Sequence, residues 1–319
     1  VIKFERISKV FPNGVQAVKD LNLEIKTGEI LILLGKSGSG KTTILRMINY
    51  LVQPTSGRLY INEKEIHDFD PLSLRRQIGY AIQHVGLFPH MTVEENIALL
   101  PRLLKWPEEK IQARVEELLN MVRLNPKDYR KRYPRMLSGG ESQRVGVARA
   151  FSADPPIILM DEPFGALDPL TREELQNEFL ELQSHLKKTV VFVTHDVLEA
   201  VKLGDRIGVI DEGQLVQLSS PGQLVENPAN EFVDHFLGPH RFHLSLLTRT
   251  ISSLLPETNS PLSQKATVDR HYLSARHSVF QAMNIFKCSK KEALPVYDGK
   301  KYLGEFKKAD LFDIILKII

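Results

Sequence analysis

The residues best equipped for chemistry begin at Gly35-Lys36-Ser37-Gly38-Ser39-Gly40-Lys41-Thr42, a run that fits G-x-x-x-x-G-K-[ST]. Glycines let successive backbone N–H groups turn inward as an anion nest, and a helix beginning here adds its positive N-terminal end. Lys41 then reaches the β- and γ-phosphates of a nucleotide, and the Thr42 hydroxyl, followed by Thr43, is placed to ligate Mg²⁺. A second candidate is Ile157-Ile158-Leu159-Met160-Asp161-Glu162, an apolar run ending in two carboxylates. Strands often end in acids merely to meet solvent. With a phosphate loop upstream, however, Asp161 is the candidate for organising the metal and Glu162 for polarising an attacking water as general base. A third is Leu137-Ser138-Gly139-Gly140-Glu141, ahead of a helical run over 143–151. Ser138 and Glu141 have capping-box spacing, and a helix start carrying a serine and two glycines is also open to an anion.

These groups need elements to hold them. The run 29–34 is short and continuously apolar, as are 157–160 and 190–193, which suits strands buried on both faces of a sheet. Residues 42–48 read as helix after the glycine loop. The stretch 92–123 reads as helical by period, with Thr92 and Glu95 as a capping box at its start. Alternating Ile2 and Phe4, then Val18, Leu21, Leu23 and Ile25, predict two strands around a turn at Pro12-Asn13-Gly14. The pattern is that of a mainly parallel sheet covered by helices. Composition changes after about residue 237: Gly238-Pro239 breaks the chain, and Pro256-Glu257-Thr258-Asn259-Ser260-Pro261 reads as linker. Beyond it, a helix over 278–289, strands over 293–297 and 302–306 around Asp298-Gly299, and an amphipathic helix over 309–319 form a small α+β unit.

Length and composition bound the rest. At 319 residues the chain accommodates two domains, and 42% hydrophobic with 25% charged residues is ordinary globular composition. A formal charge of +3 falls short of a nucleic-acid binder. The single Cys288 excludes an intramolecular disulfide framework and any multi-cysteine metal cluster, as expected in a reducing cytoplasm. No apolar window reaches the roughly 18 residues needed to span a bilayer, and the opening residues carry no leader pattern. A membrane role would come through a partner.

Together these motifs resemble, in kind and order over about residues 1–235, those of the ABC-type ATPases, with the segment 137–141 as the signature. The resemblance implies an α/β P-loop NTPase over 1–237, a RecA-like core sheet with an antiparallel β-subdomain and a helical subdomain at about 85–152. It implies ATP and Mg²⁺ as ligands. It also implies an adenine-stacking role for Phe11 and a Gln83 that contacts Mg²⁺ and the attacking water. Asp168 would sit in the loop joining two active sites, and His195 would hold the γ-phosphate and Glu162 in register. The alternatives are a core position for Phe11, a solvated loop for Gln83, a helix cap beside Pro169 for Asp168 and a capping neighbour for His195. Where the family signature often has Gln, this chain has Glu141. The implied mechanism is a head-to-tail homodimer with each ATP between the phosphate loop of one subunit and the Ser138 helix end of the other.

Two stretches narrow the resemblance. Residues 86–97 and 160–172 are similar to the importer type, and most similar to ATPases of glycine betaine/carnitine/choline osmoprotectant importers. The alternatives are an importer of another small solute, or a soluble ABC ATPase outside transport. Importer membership implies permease subunits, an extracytoplasmic solute-binding protein or domain, and peripheral attachment at the cytoplasmic face of the membrane. After a linker over 238–264, residues 265–319 resemble a single cystathionine-β-synthase-type (CBS) module. That implies dimerisation, or regulation through an adenine-type ligand, a cyclic dinucleotide or ionic strength.

Overall fold

The computed structural model describes residues 2–82, 86–255, 272–299 and 301–318. The chain divides into two compact units: Val1–Asp196 with Leu203–Leu218, and Val197–Lys202 with Ser219–Ile319.

In the first unit, β1 (Ile2–Val10) and β2 (Gln16–Ile25) pair antiparallel around the expected turn. β3 (Ile30–Leu34) follows, then the glycine loop and α1 (Lys41–Ile48). β4 (Ser56–Ile61) and β5 (Lys64–Glu65) complete a four-stranded sheet in the order β2-β1-β4-β5. After α2 (Pro71–Arg76) and β6 (Ile78–Ala81) the chain becomes helical: α3 (Val93–Leu103), α4 (Glu108–Met121), α5 (Pro126–Tyr129) and α6 (Gly139–Ala150). It then returns through β7 (Ile157–Asp161), α7 (Pro169–Leu186), β8 (Thr189–Thr194), β9 (Arg206–Asp211) and β10 (Gln214–Ser219), while α8 (Val197–Leu203), between β8 and β9, belongs almost wholly to the second unit. The core sheet is six-stranded in the order β10-β9-β3-β8-β7-β6. Its pairs β9–β3, β3–β8, β8–β7 and β7–β6 are all parallel. Every residue of β3, β7 and β8 is buried, which explains their unbroken apolar character. Parallel order puts the carboxyl ends of β3, β7 and β8 side by side, so the loops that leave them converge.

The stretch expected to be helical over 92–123 folds as two helices, α3 and α4. Pro107 opens α4, and Lys105 at φ 57° turns the chain between them. Fully buried Asn96 organises the loop before α3: its Oδ1 accepts from Phe88 N at 2.8 Å, and its Nδ2 lies 2.9–3.2 Å from the carbonyls of Phe88, Met91 and Thr92. Truncation leaves several of these groups unsatisfied, so Asn96→Ala is expected to lower unfolding free energy by about 2 kcal/mol, read from a urea midpoint.

The second unit has its own core. It contains α9 (Pro221–Glu226), α10 (Glu231–Leu237), α11 (Arg241–Thr248), β11 (Leu273–Ser274), α12 (Val279–Ser289), β12 (Ala293–Asp298), β13 (Lys301–Lys307) and α13 (Lys308–Ile318). The three strands form the sheet β11-β12-β13, parallel then antiparallel. The division differs from the expected one. Instead of a linker starting at 238, residues 241–248 are helical, and Leu246 and Ile251 bury into one cluster with Leu273, Phe286, Leu294 and Phe306. Burying those apolar side chains makes this stretch part of the small domain. The expected linker segment Pro256-Glu257-Thr258-Asn259-Ser260-Pro261 lies outside the described residues. Among the described residues no helix is long and apolar enough to cross a membrane.

Candidate nucleotide site

The glycine loop connects β3 to α1, and its conformation explains its composition. Gly38 and Gly40 stand at φ 80° and 105°, in the left-handed region. A Cβ at Gly40 would lie 2.2 Å from Ala17 O, and one at Gly35 would lie 2.1 Å from Ile210 O. The β1–β2 and β9–β10 hairpins therefore press against the loop, and Gly213 N donates to Ser39 O at 3.0 Å. Lys41 is 4% exposed, and its Nζ donates to Gly35 O at 2.8 Å and Lys36 O at 2.7 Å, across the loop it follows. Burial pushes its ammonium below the ordinary lysine range, and the carboxylates of Glu162 and Asp161 oppose that shift. Ser39 Oγ is buried without a hydrogen-bond partner, a donor held ready for an acceptor inside the loop. Lys36, Ser37 and Thr43 flank these groups in the same loop and first helical turn.

Asp161 ends β7, and its Oδ1 accepts from Thr42 Oγ1 at 3.0 Å across 119 residues of sequence. Burial raises its carboxyl; the Thr42 hydrogen bond and the charges of Arg46 and Lys41 act against that. A hydroxyl and a carboxylate oxygen at this separation are a hard donor pair, of the kind Mg²⁺ takes alongside phosphate oxygens. Glu162 follows at φ 46°, a left-handed conformation that costs a glutamate about 1–3 kcal/mol. Its amide is tied to Val193 O at 3.0 Å, and its carbonyl accepts from Gly165 N at 3.2 Å. Its carboxylate Oε1 lies 3.2 Å from His195 Nδ1, just beyond the end of β8. The His195 side chain is 63% exposed and that of Glu162 19%, so the pair faces outward from the sheet's carboxyl edge.

The segment 137–141 forms the start of α6. Ser138 is the N-cap and accepts from Glu141 N at 3.2 Å, while Glu141 Oε2 accepts from Ser138 N at 2.7 Å. The other carboxylate oxygen accepts from Tyr129 Oη at 2.5 Å. That bond first, and the Ser138 bond second, hold the Glu141 carboxyl below its ordinary value of 4.5. The glutamate that stands where Gln is common thus has one carboxylate oxygen engaged in capping and the other by Tyr129. A folded-state value below the unfolded one stabilises the protein above the carboxylate range and is lost as pH falls through it. Tyr129→Phe is expected to cost about 0.5–1 kcal/mol near neutral pH, with the acid loss of stability beginning at higher pH, seen in melting curves against pH. A Cβ at Gly139 would meet nothing within 4 Å, and one at Gly140 would touch Leu167 Cδ2 at 3.0 Å. The helix start is bare of side chains at Gly139, as an anion site requires.

The other expected residues fall in different places. Asp168 caps α7, its Oδ1 accepting from Thr171 N at 3.0 Å. Phe11 is partly exposed rather than core, with Lys9 Nζ 5.3 Å from its ring centre. Gln83 lies outside the described residues. Sequence reasoning passed over Gln143, whose Nε2 donates to Glu162 O at 2.8 Å and whose Oε1 accepts from Ala166 N at 2.9 Å. Its only trace in the sequence is a polar residue in helical register with Val147 and Ala150.

A mainly parallel sheet with a glycine cradle on one strand end, paired carboxylates on the next but one and a histidine between them defines a nucleotide-hydrolysing cassette. Residues 18–165 match the ABC transporter family, and the chain belongs to the ATP-binding proteins of that family, ATPases coupled to transport. Over 314 residues it is 46% identical to the glycine betaine/carnitine/choline transport ATP-binding protein of Bacillus subtilis, covering 98% of this chain and 80% of that protein. It is also 46% identical over 239 residues to the sulfate/thiosulfate import ATP-binding protein of Synechococcus elongatus, but there covers 75% of this chain and 68% of that one. A dimeric ATP-binding cassette in a post-hydrolysis state with ADP and Pi is similar at a TM-score of 0.64 and 37% identity, over 69% of this chain and 98% of that one.

Proposed function

We propose that this chain drives an importer of a small osmoprotectant of the glycine betaine, carnitine or choline class. The sulfate/thiosulfate import ATP-binding protein is itself 46% identical over 239 residues, so a likeness in the motor does not by itself name the solute. The observation that carries the reading is coverage: the osmoprotectant likeness extends over 98% of the chain, small domain included, against 75% for the sulfate relative. The solute itself would be handled by permease subunits and a solute-binding protein, with this chain attached peripherally at the cytoplasmic face. Uptake of radiolabelled glycine betaine, carnitine and choline into a strain lacking its own ATPase subunit tests it. Rescue is expected for at least one of the three and not for sulfate; rescue of sulfate alone would overturn the assignment.

The catalytic reading follows from the geometry. Loop amides from Gly35 to Thr42, with Lys41, Ser39 and Thr43, would cradle the β- and γ-phosphates of ATP, and Phe11 would stack on its base. Thr42 and Asp161 would hold Mg²⁺, with Gln83 as a further contact. Among the described residues no group of three or more His, Cys, Asp or Glu could hold a metal alone, so phosphate oxygens and water would supply the remaining ligands. The ion neutralises charge on the phosphates when bound. Glu162 takes the proton of the attacking water, and His195, at 3.2 Å, fixes the direction of that carboxylate. Leu137, Ser138, Gly139, Gly140 and Glu141 would present the α6 N-terminus to the γ-phosphate held by a second copy, with Asp168 at the junction. The dimeric cassette relative supports that arrangement. The small domain is read as a CBS-type module, supported by its helix–strand–strand–helix order. It would serve dimerisation or regulation through an adenine-type or cyclic dinucleotide ligand.

A further inference from the structure

Gln143 lies near the start of α6, 4% exposed, and spends both ends of its amide on backbone: Nε2 on the Glu162 carbonyl at 2.8 Å and Oε1 on the Ala166 amide at 2.9 Å. Both targets belong to the turn that carries the base. Glu162 is held at φ 46°, where an L-residue stays only under restraint from its surroundings. Val193 restrains it through its amide, Gly165 from within the turn, and Gln143 from another element altogether. Ala166 stands two residues before Asp168, and Ser138 caps the same twelve-residue helix five residues before Gln143. One side chain therefore bolts the α6 helix to the backbone on both sides of the turn between base and inter-subunit loop.

We propose that Gln143 is a positioning residue for hydrolysis: it fixes the left-handed turn at Glu162 to helix α6, so that the carboxylate keeps its aim and a displacement at Ser138 is carried to the protomer's own base. The proposal rests on Glu162 acting as base. An apolar replacement leaves the Glu162 carbonyl with one donor fewer and the turn without its tie to α6. The strained backbone then relaxes, and a carboxylate shifted by about 1 Å loses on the order of 10²-fold in rate.

The test is a cycle in the full-length protein: Gln143→Met, of similar volume, alone and in the Glu162→Gln background, with single-turnover hydrolysis of labelled ATP. In the parent background kcat is expected to fall about 30- to 100-fold, with affinity for a fluorescent ATP analogue held within about 2-fold. In the Glu162→Gln background the same change is expected to cost less than about 3-fold, since no carboxylate remains to be misaimed. Melting curves accompany each variant, and Gln143→Leu replaces Gln143→Met if the latter is unfolded at assay temperature. Near-parental turnover in Glu162→Gln alone would sink the base assignment instead. With that variant slow, the positioning role is overturned by an unchanged kcat, by an equal loss in both backgrounds, or by an affinity loss matching the rate loss.

Discussion

Replacing Glu162 with Gln is expected to slow ATP turnover by about 10²- to 10⁴-fold while leaving ATP binding intact. The amide keeps the size of the carboxylate and can still meet His195 Nδ1, which lies 3.2 Å from Oε1 in the parent. The proposed phosphate contacts belong to other residues, on the loop between β3 and α1. Only proton acceptance is lost. A protein that binds ATP and cannot cleave it should also accumulate a nucleotide-bound dimer, visible by size exclusion with Mg-ATP. Turnover within about tenfold of the parent would place the base elsewhere.

Gly40→Ala is expected to abolish nucleotide binding while much of the fold survives. The new methyl would stand 2.2 Å from Ala17 O, a backbone atom in the β1–β2 hairpin, and at φ 105° an alanine is strained whatever the space. Relief requires the loop to move away from the hairpin, which takes apart the row of amides and the Lys41 position together. Affinity for a fluorescent ATP analogue is expected to fall by at least about 100-fold, with a drop in melting temperature of several degrees. Gly38→Ala is the control: its Cβ meets nothing within 4 Å, so only the backbone strain at φ 80° remains.

The parts of the molecule visible in the sequence are those specified by local spacing. The glycine loop, the acid pair at the end of β7 and the Ser138–Glu141 box are each contiguous, and their elements follow from short apolar runs and capping residues. What joins them is long-range. Thr42 meets Asp161 across 119 residues through the strand order of the sheet, and Gln143 meets Glu162 across 19 through the packing of α6 beside the end of β7. The left-handed backbone of Glu162 was equally hidden, because a glutamate carries no sign of it. Asp168 could be read as cap or junction, and the single chain shows the cap. The start of the small domain was misplaced for a different reason. Leu246 and Ile251 are too far apart to announce a helix by their spacing, and only their shared burial with the later strands reveals where they belong.

The left-handed turn at Glu162 also bears on how such a motor changes over generations. Glycine, and to a lesser extent asparagine, occupy that backbone region with less strain than glutamate does. A lineage that no longer needs hydrolysis at one site can therefore lose the proposed base through a change that relaxes the polypeptide, and stability selection offers no resistance. Silent cassettes would arise at this position more readily than at Gly40, where every replacement collides with a neighbouring strand.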